Sequence, residues 1–112
     1  MTTHQMNLQP KYFNFIKDGT KRIELRLFDE KRQKIQLGDI IDFSDSEENH
    51  INTEVVGLFR YKTFNDLFED FDIELLADSS MRKQDLLDAL SEFYTPEKQA
   101  KYGVLGIRIK KL

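Results

Sequence analysis

The sequence predicts a mixed α+β fold: a small, mostly antiparallel β-barrel flanked by helices. Three observations point there. Apart from one early helix, the patterned segments up to residue 61 alternate with period two, segments of helical period follow between residues 63 and 103, and one more alternating segment closes the chain. Strands and helices grouped in this way, without a repeating strand–helix–strand rhythm, favour an antiparallel sheet with appended helices over a parallel α/β sheet. At 112 residues, 39% of them hydrophobic, the chain is long enough to bury one core without metal or disulfide staples. It carries no internal repeat and no low-complexity linker, so residues 1–112 read as a single domain.

Met6 to Leu8 reads as a short first strand. Pro10 suits the first turn of a helix over Lys11 to Lys17, where a missing amide hydrogen costs nothing, and Gly19 stops that helix. From Arg22 to Leu27 the alternation is strict: Ile23, Leu25 and Leu27 take one face, Arg22, Glu24 and Arg26 the other, as in a half-buried strand. Phe28 to Arg32 is polar and turn-like. Ile35 and Leu37 resume the alternation, Gly38-Asp39 makes a turn, and Ile40, Ile41 and Phe43 form the next strand. Ser44 to Asn52 reads as a loop, and Thr53 to Tyr61 as a strand rich in Val and aromatics. Thr63-Phe64-Asn65-Asp66 has the form of a capping box that opens a helix through Phe71. Met81 to Phe93 sets Leu86, Leu87, Leu90 and Phe93 on one helical stripe, which reads as core. Thr95-Pro96-Glu97 caps a short helical turn ending at Gly103, and Val104 to Ile109 is the last strand.

The formal net charge of −3 hides a segregation. Residues 10 to 38 carry eight Lys or Arg against four Asp or Glu, residues 39 to 80 two against twelve, and residues 81 to 112 seven against four. If the two basic segments lie side by side they make one positive surface able to attract phosphates, with the acidic middle facing elsewhere.

Several classes of chemistry are excluded. Without cysteine there is no disulfide framework, thiol nucleophile or thiolate metal site, which fits a reducing compartment and a cytoplasmic home. The first ten residues have no export-signal pattern, and no run of apolar residues is long enough to span a membrane. His4 and His50 have no partner at metal-ligand spacing and read as solvent-exposed. Ser44 to Glu48 lacks the glycine and terminal glutamate of a calcium loop. No phosphate-binding glycine motif and no nucleophile elbow occurs, and no cofactor is expected.

The residues that remain stand at the first long strand. Glu24 lies between Arg22 and Arg26 on its charged face, and Lys21 sits where helix becomes strand, within reach of the same space. A lysine, a carboxylate and a guanidinium converging there would hold a polar planar ligand, the arginine offering its fork to phosphate or carbonyl and the glutamate accepting from an amine or amide.

Gly19-Thr20-Lys21-Arg22-Ile23-Glu24-Leu25-Arg26 resembles the G-x-K-x-x-E-x-R motif of the ASCH domains, relatives of the PUA-like RNA-binding barrels. Leu37 to Phe43, Phe64 to Phe68 and Tyr94 through Tyr102-Gly103-Val104 resemble further landmarks of that family, so the likeness runs nearly end to end. It implies a small pseudo-barrel whose cleft is walled by Lys21, Glu24 and Arg26 and takes RNA or a nucleotide-like molecule. One branch of the family is similar to amidohydrolases that deacetylate acetylcytidine with a lysine, a threonine three residues on and a distant glutamate. Lys21 matches that lysine, but Glu24 stands at the threonine, and a carboxylate there would have to form a mixed anhydride or act as base to water.

Three readings follow. The first is a binding module for RNA or a modified nucleoside through Lys21, Glu24 and Arg26, with Tyr94 and Tyr102 beside the cleft as stacking aromatics. The second is a hydrolase of acylated nucleosides or of RNA, with Lys21 as general base and Glu24 orienting it or shuttling a proton; cleavage of RNA would bring in Tyr61 and Tyr94. The third is a protein-interaction domain that works through the acidic middle without a small ligand.

Overall fold

In a computed structural model that describes residues 1–112, the chain runs β1 (Thr3–Asn7), α1 (Pro10–Lys17), β2 (Ile23–Leu27), a 3-10 turn (Arg32–Lys34), β3 (Ile40–Ser44) and β4 (His50–Tyr61). Four helices follow, α2 (Phe64–Asp70), α3 (Ile73–Leu76), α4 (Lys83–Ser91) and α5 (Pro96–Tyr102), before β5 (Val104–Lys111). The strands form one sheet in the order β1-β3-β4-β5-β2, parallel only between β1 and β3. This is the expected α+β class with its antiparallel bias, and the curled sheet forms a half-barrel. In β4 the pairing with β5 slips between Val55 and Gly57, a bulge that bends the strand and leaves Val56 exposed. The two outer strands are β1 and β2, and they do not pair with each other.

Each face of the sheet buries its own apolar layer. On one face Ile23, Leu25 and Leu27 of β2 join Val104 of β5 and the inward sides of α2, α3 and α4, including Phe64, Leu67, Phe68, Leu76 and Leu86. On the other, Phe13 and Ile16 of α1 cover Met6, Ile41, Phe43, Val55, Leu105, Ile107 and Ile109. A strand buried on both faces cannot show clean alternation, and β5 reads as a near-continuous apolar run for that reason.

Several boundaries differ from the sequence reading. The first strand begins earlier, at Thr3, because its backbone pairs with β3 whatever its side chains are. Residues 35 to 39 are not a strand: Ile35 is buried, Leu37 is 66% exposed, and the segment turns through Gly38. The loop after β3 is shorter than expected, since His50 to Asn52 already pair with β3. Its turn is tightened by Asp45, whose carboxylate accepts from the Glu47 and Asn49 amides and from the Asn49 side chain. Thr63 supplies half of the expected capping box by accepting from the Asp66 amide at 3.1 Å. Helix α3 was not foreseen, because four residues give no readable period. Helix α4 ends at Ser91, so Phe93 leaves the core stripe and is 54% exposed.

His4 is also placed differently. It is not a solvent residue: its Nε2 lies 2.8 Å from the carboxylate of buried Asp39, which also accepts from the Thr2 and Gln36 amides. Asp39 thereby clips the start of β1 to the start of β3. The hydrogen bond to His4, then those to Gln36 and Thr2, hold its carboxyl down from 3.8 to about 2. A carboxyl depressed in the folded state contributes stability above its unfolded value and loses it as pH falls through the folded one. Asp39→Asn therefore lowers stability at neutral pH, and the variant's stability changes less than the wild type's between about pH 4 and about pH 2, read by urea denaturation across that window.

Gly103 ends α5 at φ 74° and ψ 179°, a backbone region open essentially to glycine alone, and its carbonyl accepts from the Phe28 amide at 3.0 Å. A Cβ there would also stand 3.3 Å from the Tyr61 carbonyl oxygen. Gly103→Ala is expected to cost about 1–3 kcal/mol of folding stability, measured by chemical denaturation.

Candidate functional site

The site grows from the edge strand β2. Residues directly opposite in an antiparallel pair share a face, so Glu24 opposite Ile107 and Arg26 opposite Leu105 point to the layer that α1 covers. The alternating charges are therefore not a solvated face. Glu24 is only 4% exposed. Arg22 alone of the three is exposed, its Nε donating to the Gly19 carbonyl at 3.2 Å.

Lys21 is delivered by a sharp stop. Gly19 takes φ 85°, and the Thr20 and Lys21 amides both turn back to the Phe15 carbonyl at 3.1 Å, so the next side chain points inward. The Arg22 amide then donates to the Leu75 carbonyl at 2.8 Å and fastens the start of β2 to α3. Lys21, 3% exposed, donates through Nζ to the Leu76 carbonyl at 2.8 Å and the Ile23 carbonyl at 2.7 Å, with Glu24 Oε1 at 3.3 Å. It thus satisfies a carbonyl at the end of α3, where a cation is favoured.

Glu24 is the centre of the network. Its Oε1 accepts from the Leu25 amide at 3.0 Å, and its Oε2 from Arg26 Nε at 3.0 Å and Nη2 at 2.8 Å. Burial pushes its carboxyl up, but Arg26 first and Lys21 second, with their hydrogen bonds, outweigh this and hold it below the usual glutamate range. Burial lowers Lys21, and the Glu24 charge offsets only part of that. Burial also works against the Arg26 charge, yet Glu24 and then Tyr94 turn the balance upward. Arg26 Nη2 reaches beyond Glu24 to the Asn7 carbonyl at 3.0 Å, so one guanidinium bridges the gap between the unpaired edges β2 and β1. Tyr94, which also lines the cleft, stands close enough to hydrogen-bond the guanidinium as well.

The three residues line one cleft of about 610 Å³. Its wall is apolar, built from Leu8, Pro10, Leu86, Ala89, Leu90 and Phe93, and its polar end holds Lys21, Glu24 and Arg26 with Tyr12 and Tyr94. Burial, then the Glu24 charge, raises the Tyr12 phenol. Tyr94 stands where the sequence expects it, beside the cleft and stacked obliquely on Phe64. Tyr102 does not line the cleft: it ends α5 packed against the layer under β2, with the Lys101 ammonium 5.0 Å from its ring centre. Tyr61 is also elsewhere, donating its hydroxyl to Asp70 at 2.6 Å, so it does not join Lys21 and Tyr94. Sequence reasoning missed Phe93, Tyr12 and the carbonyls of Asn7 and Leu76. Phe93 has a readable signal, since a helical stripe that outruns its helix leaves its last member on the surface.

An α+β half-barrel that holds a buried lysine–glutamate–arginine network in a cleft beside its open seam defines the class of protein. Residues 6–112 match the family described as the ASCH domain, and the chain belongs to that family. Two solved structures are similar over almost the whole chain. One is the crystal structure of the hypothetical protein PH0355, 34% identical, with 99% of this chain and all 100% of that one covered and a TM-score of 0.88. The other is the solution structure of protein PF0455 from Pyrococcus furiosus, 32% identical, with 99% and 98% covered and a TM-score of 0.79. No curated protein matches the chain.

Removing Glu24 leaves two cations buried against each other without their counter-charge. Glu24→Ala is expected to destabilise the fold by about 3–5 kcal/mol, read from urea denaturation; a loss under about 1 kcal/mol would mean the pair is solvated in practice.

Proposed function

We propose that the protein binds a nucleoside or nucleotide, free or within RNA, in this cleft. The base stacks along Phe93 and Tyr94, and its polar edge meets the guanidinium of Arg26. The observation that carries the reading is the pairing of an exposed large aromatic at the cleft rim, Phe93, with the guanidinium of Arg26 at its polar end. A ligand must therefore be flat and apolar over its faces and rich in acceptors at one edge, which is the chemistry of a nucleobase.

Energetics support a binding role for the charges. A buried charge network adds little to stability over apolar side chains of similar volume, so folding alone does not account for Lys21, Glu24 and Arg26 at this place. The cleft lining sets Lys21 and Arg26 against Glu24 and Glu92 and carries no net charge, so it is the Arg26 guanidinium that favours carbonyl oxygens and phosphates. Binding is favoured over turnover by the state of Lys21: two carbonyls and Glu24 engage its three ammonium donors, and a general base needs a free lone pair.

Titration with cytidine, acetylcytidine and short single-stranded RNAs tests the reading. Phe93→Ala, at an exposed position, is expected to weaken binding by about 1–3 kcal/mol, and Arg26→Lys to weaken it further because an ammonium has no fork. Product analysis after incubation with acetylcytidine and RNA is expected to show no conversion. Binding unchanged in Phe93→Ala, or turnover that Lys21→Ala abolishes, would replace this reading by another.

A further inference from the structure

A second concavity, of about 410 Å³, lies at the other end of β2 from the arginine of the cleft. Arg22, Arg108, Lys110 and Lys111 wall it together with Gly19 and Val56, and no carboxylate does. These cations come from the two basic segments of the sequence. Pairing of β2 with β5 sets Ile23 opposite Arg108, which brings the start of one strand against the end of the other. None of the four makes a salt bridge. Arg22 Nε and Lys111 Nζ donate only to the Gly19 and Lys17 carbonyls. Glu54 stands opposite Lys110 in the β4–β5 ladder but closes no ion pair with it. Four like charges around one hollow repel one another, and an anion seated among them relieves that repulsion.

The hollow adjoins the cleft. Lys21 borders both, its ammonium buried at the polar end of one and its residue forming part of the wall of the other. Arg22 and Arg26 are four residues apart on extended chain, about 13 Å. That is a span a short oligonucleotide covers.

We propose that this basic hollow holds a backbone phosphate of a nucleic-acid strand, so that the protein takes a strand running along β2 instead of a free nucleoside. The inference rests on the nucleobase reading of the cleft for the identity of the polyanion. The shape favours a strand over a lipid surface. Membrane docking needs a flat face with apolar anchors, and here the cations line a recess whose one exposed apolar side chain is Val56.

The test uses the full chain and two probes, cytidine and a single-stranded RNA of roughly twelve nucleotides. Binding is measured from about 50 to about 200 mM salt for the wild type, for Phe93→Ala, and for a triple variant, Arg22→Gln with Lys110→Gln and Lys111→Gln, whose side chains are all exposed. The triple variant is expected to bind RNA about tenfold or more weakly, with the slope of log K against log salt shallower by about 2, while its affinity for cytidine stays at the wild-type value. Cytidine monophosphate separates the sources of phosphate: if it alone loses affinity in the triple variant and RNA does not, the hollow takes a free monophosphate and the strand is refuted. RNA affinity and salt slope unchanged in the triple variant but reduced in Phe93→Ala would overturn the hollow and keep the cleft. The reverse pattern, loss in the triple variant with no effect of Phe93→Ala, would refute the cleft and support the hollow. Equal binding of poly-glutamate and RNA to the hollow would overturn the nucleic-acid assignment.

Discussion

The carboxylate of Glu24 sits out of water between the ammonium of Lys21 and the guanidinium of Arg26, and much of the molecule's organisation meets at that point. Each partner carries a second attachment: Lys21 to the end of α3 through Leu76, and Arg26 to the end of β1 through Asn7. Two segments that share no ladder with β2 are therefore tied to it through one buried charge. Such a knot contributes little net stability over an apolar filling, because desolvating three ions consumes most of what their attraction returns. Its effect is geometric. In a surrounding of low dielectric an unpaired charge is costly, so the three side chains are held in one arrangement, and a ligand meets donors already oriented.

That arrangement occupies the one place where a curled sheet leaves room for it. The half-barrel has two free edges, β1 and β2, and no backbone ladder closes the gap between them. Strand β2 is buried on both faces, apolar toward the helices α2 to α4 and charged toward the seam. The seam is closed by a side chain instead of a strand, which keeps a cleft open beside it. The helical layer completes the cleft by overrunning: α4 stops at Ser91, and the chain beyond it places Phe93 and Tyr94 along the wall.

The charge pattern acquires its meaning in the same geometry. The two basic segments are far apart in sequence and adjacent in space, because β5, the last strand, pairs with β2, the second. Arg22 and Arg108 face a recess on one side of Lys21, and Arg26 faces the cleft on the other. Strict alternation from Arg22 to Leu27 thus serves two different solvent environments, with Arg22 exposed and Glu24 buried two residues later.

Much of this was legible in the sequence for local reasons. Pro10 at a helix start, Gly19 and Gly103 at helix ends, the Thr63 and Thr95 caps and the alternation of β2 are set by covalent geometry and nearest neighbours, and they lie where the pattern puts them. The motif around Lys21, Glu24 and Arg26 was equally legible through its likeness to a family. What alternation could not decide was which face of β2 meets water, since a period of two distinguishes two faces without saying what covers each. Covering the charged face takes α1 and the neighbouring β5, contacts made across the whole chain. For the same reason His4 read as a lone exposed residue until β1 was laid against Asp39, Tyr102 read as a neighbour of the cleft until α5 was packed, and Phe93 read as core until α4 was seen to end. Local stereochemistry writes the elements into the sequence, whereas burial depends on partners distant in it, and the cleft is made of burial.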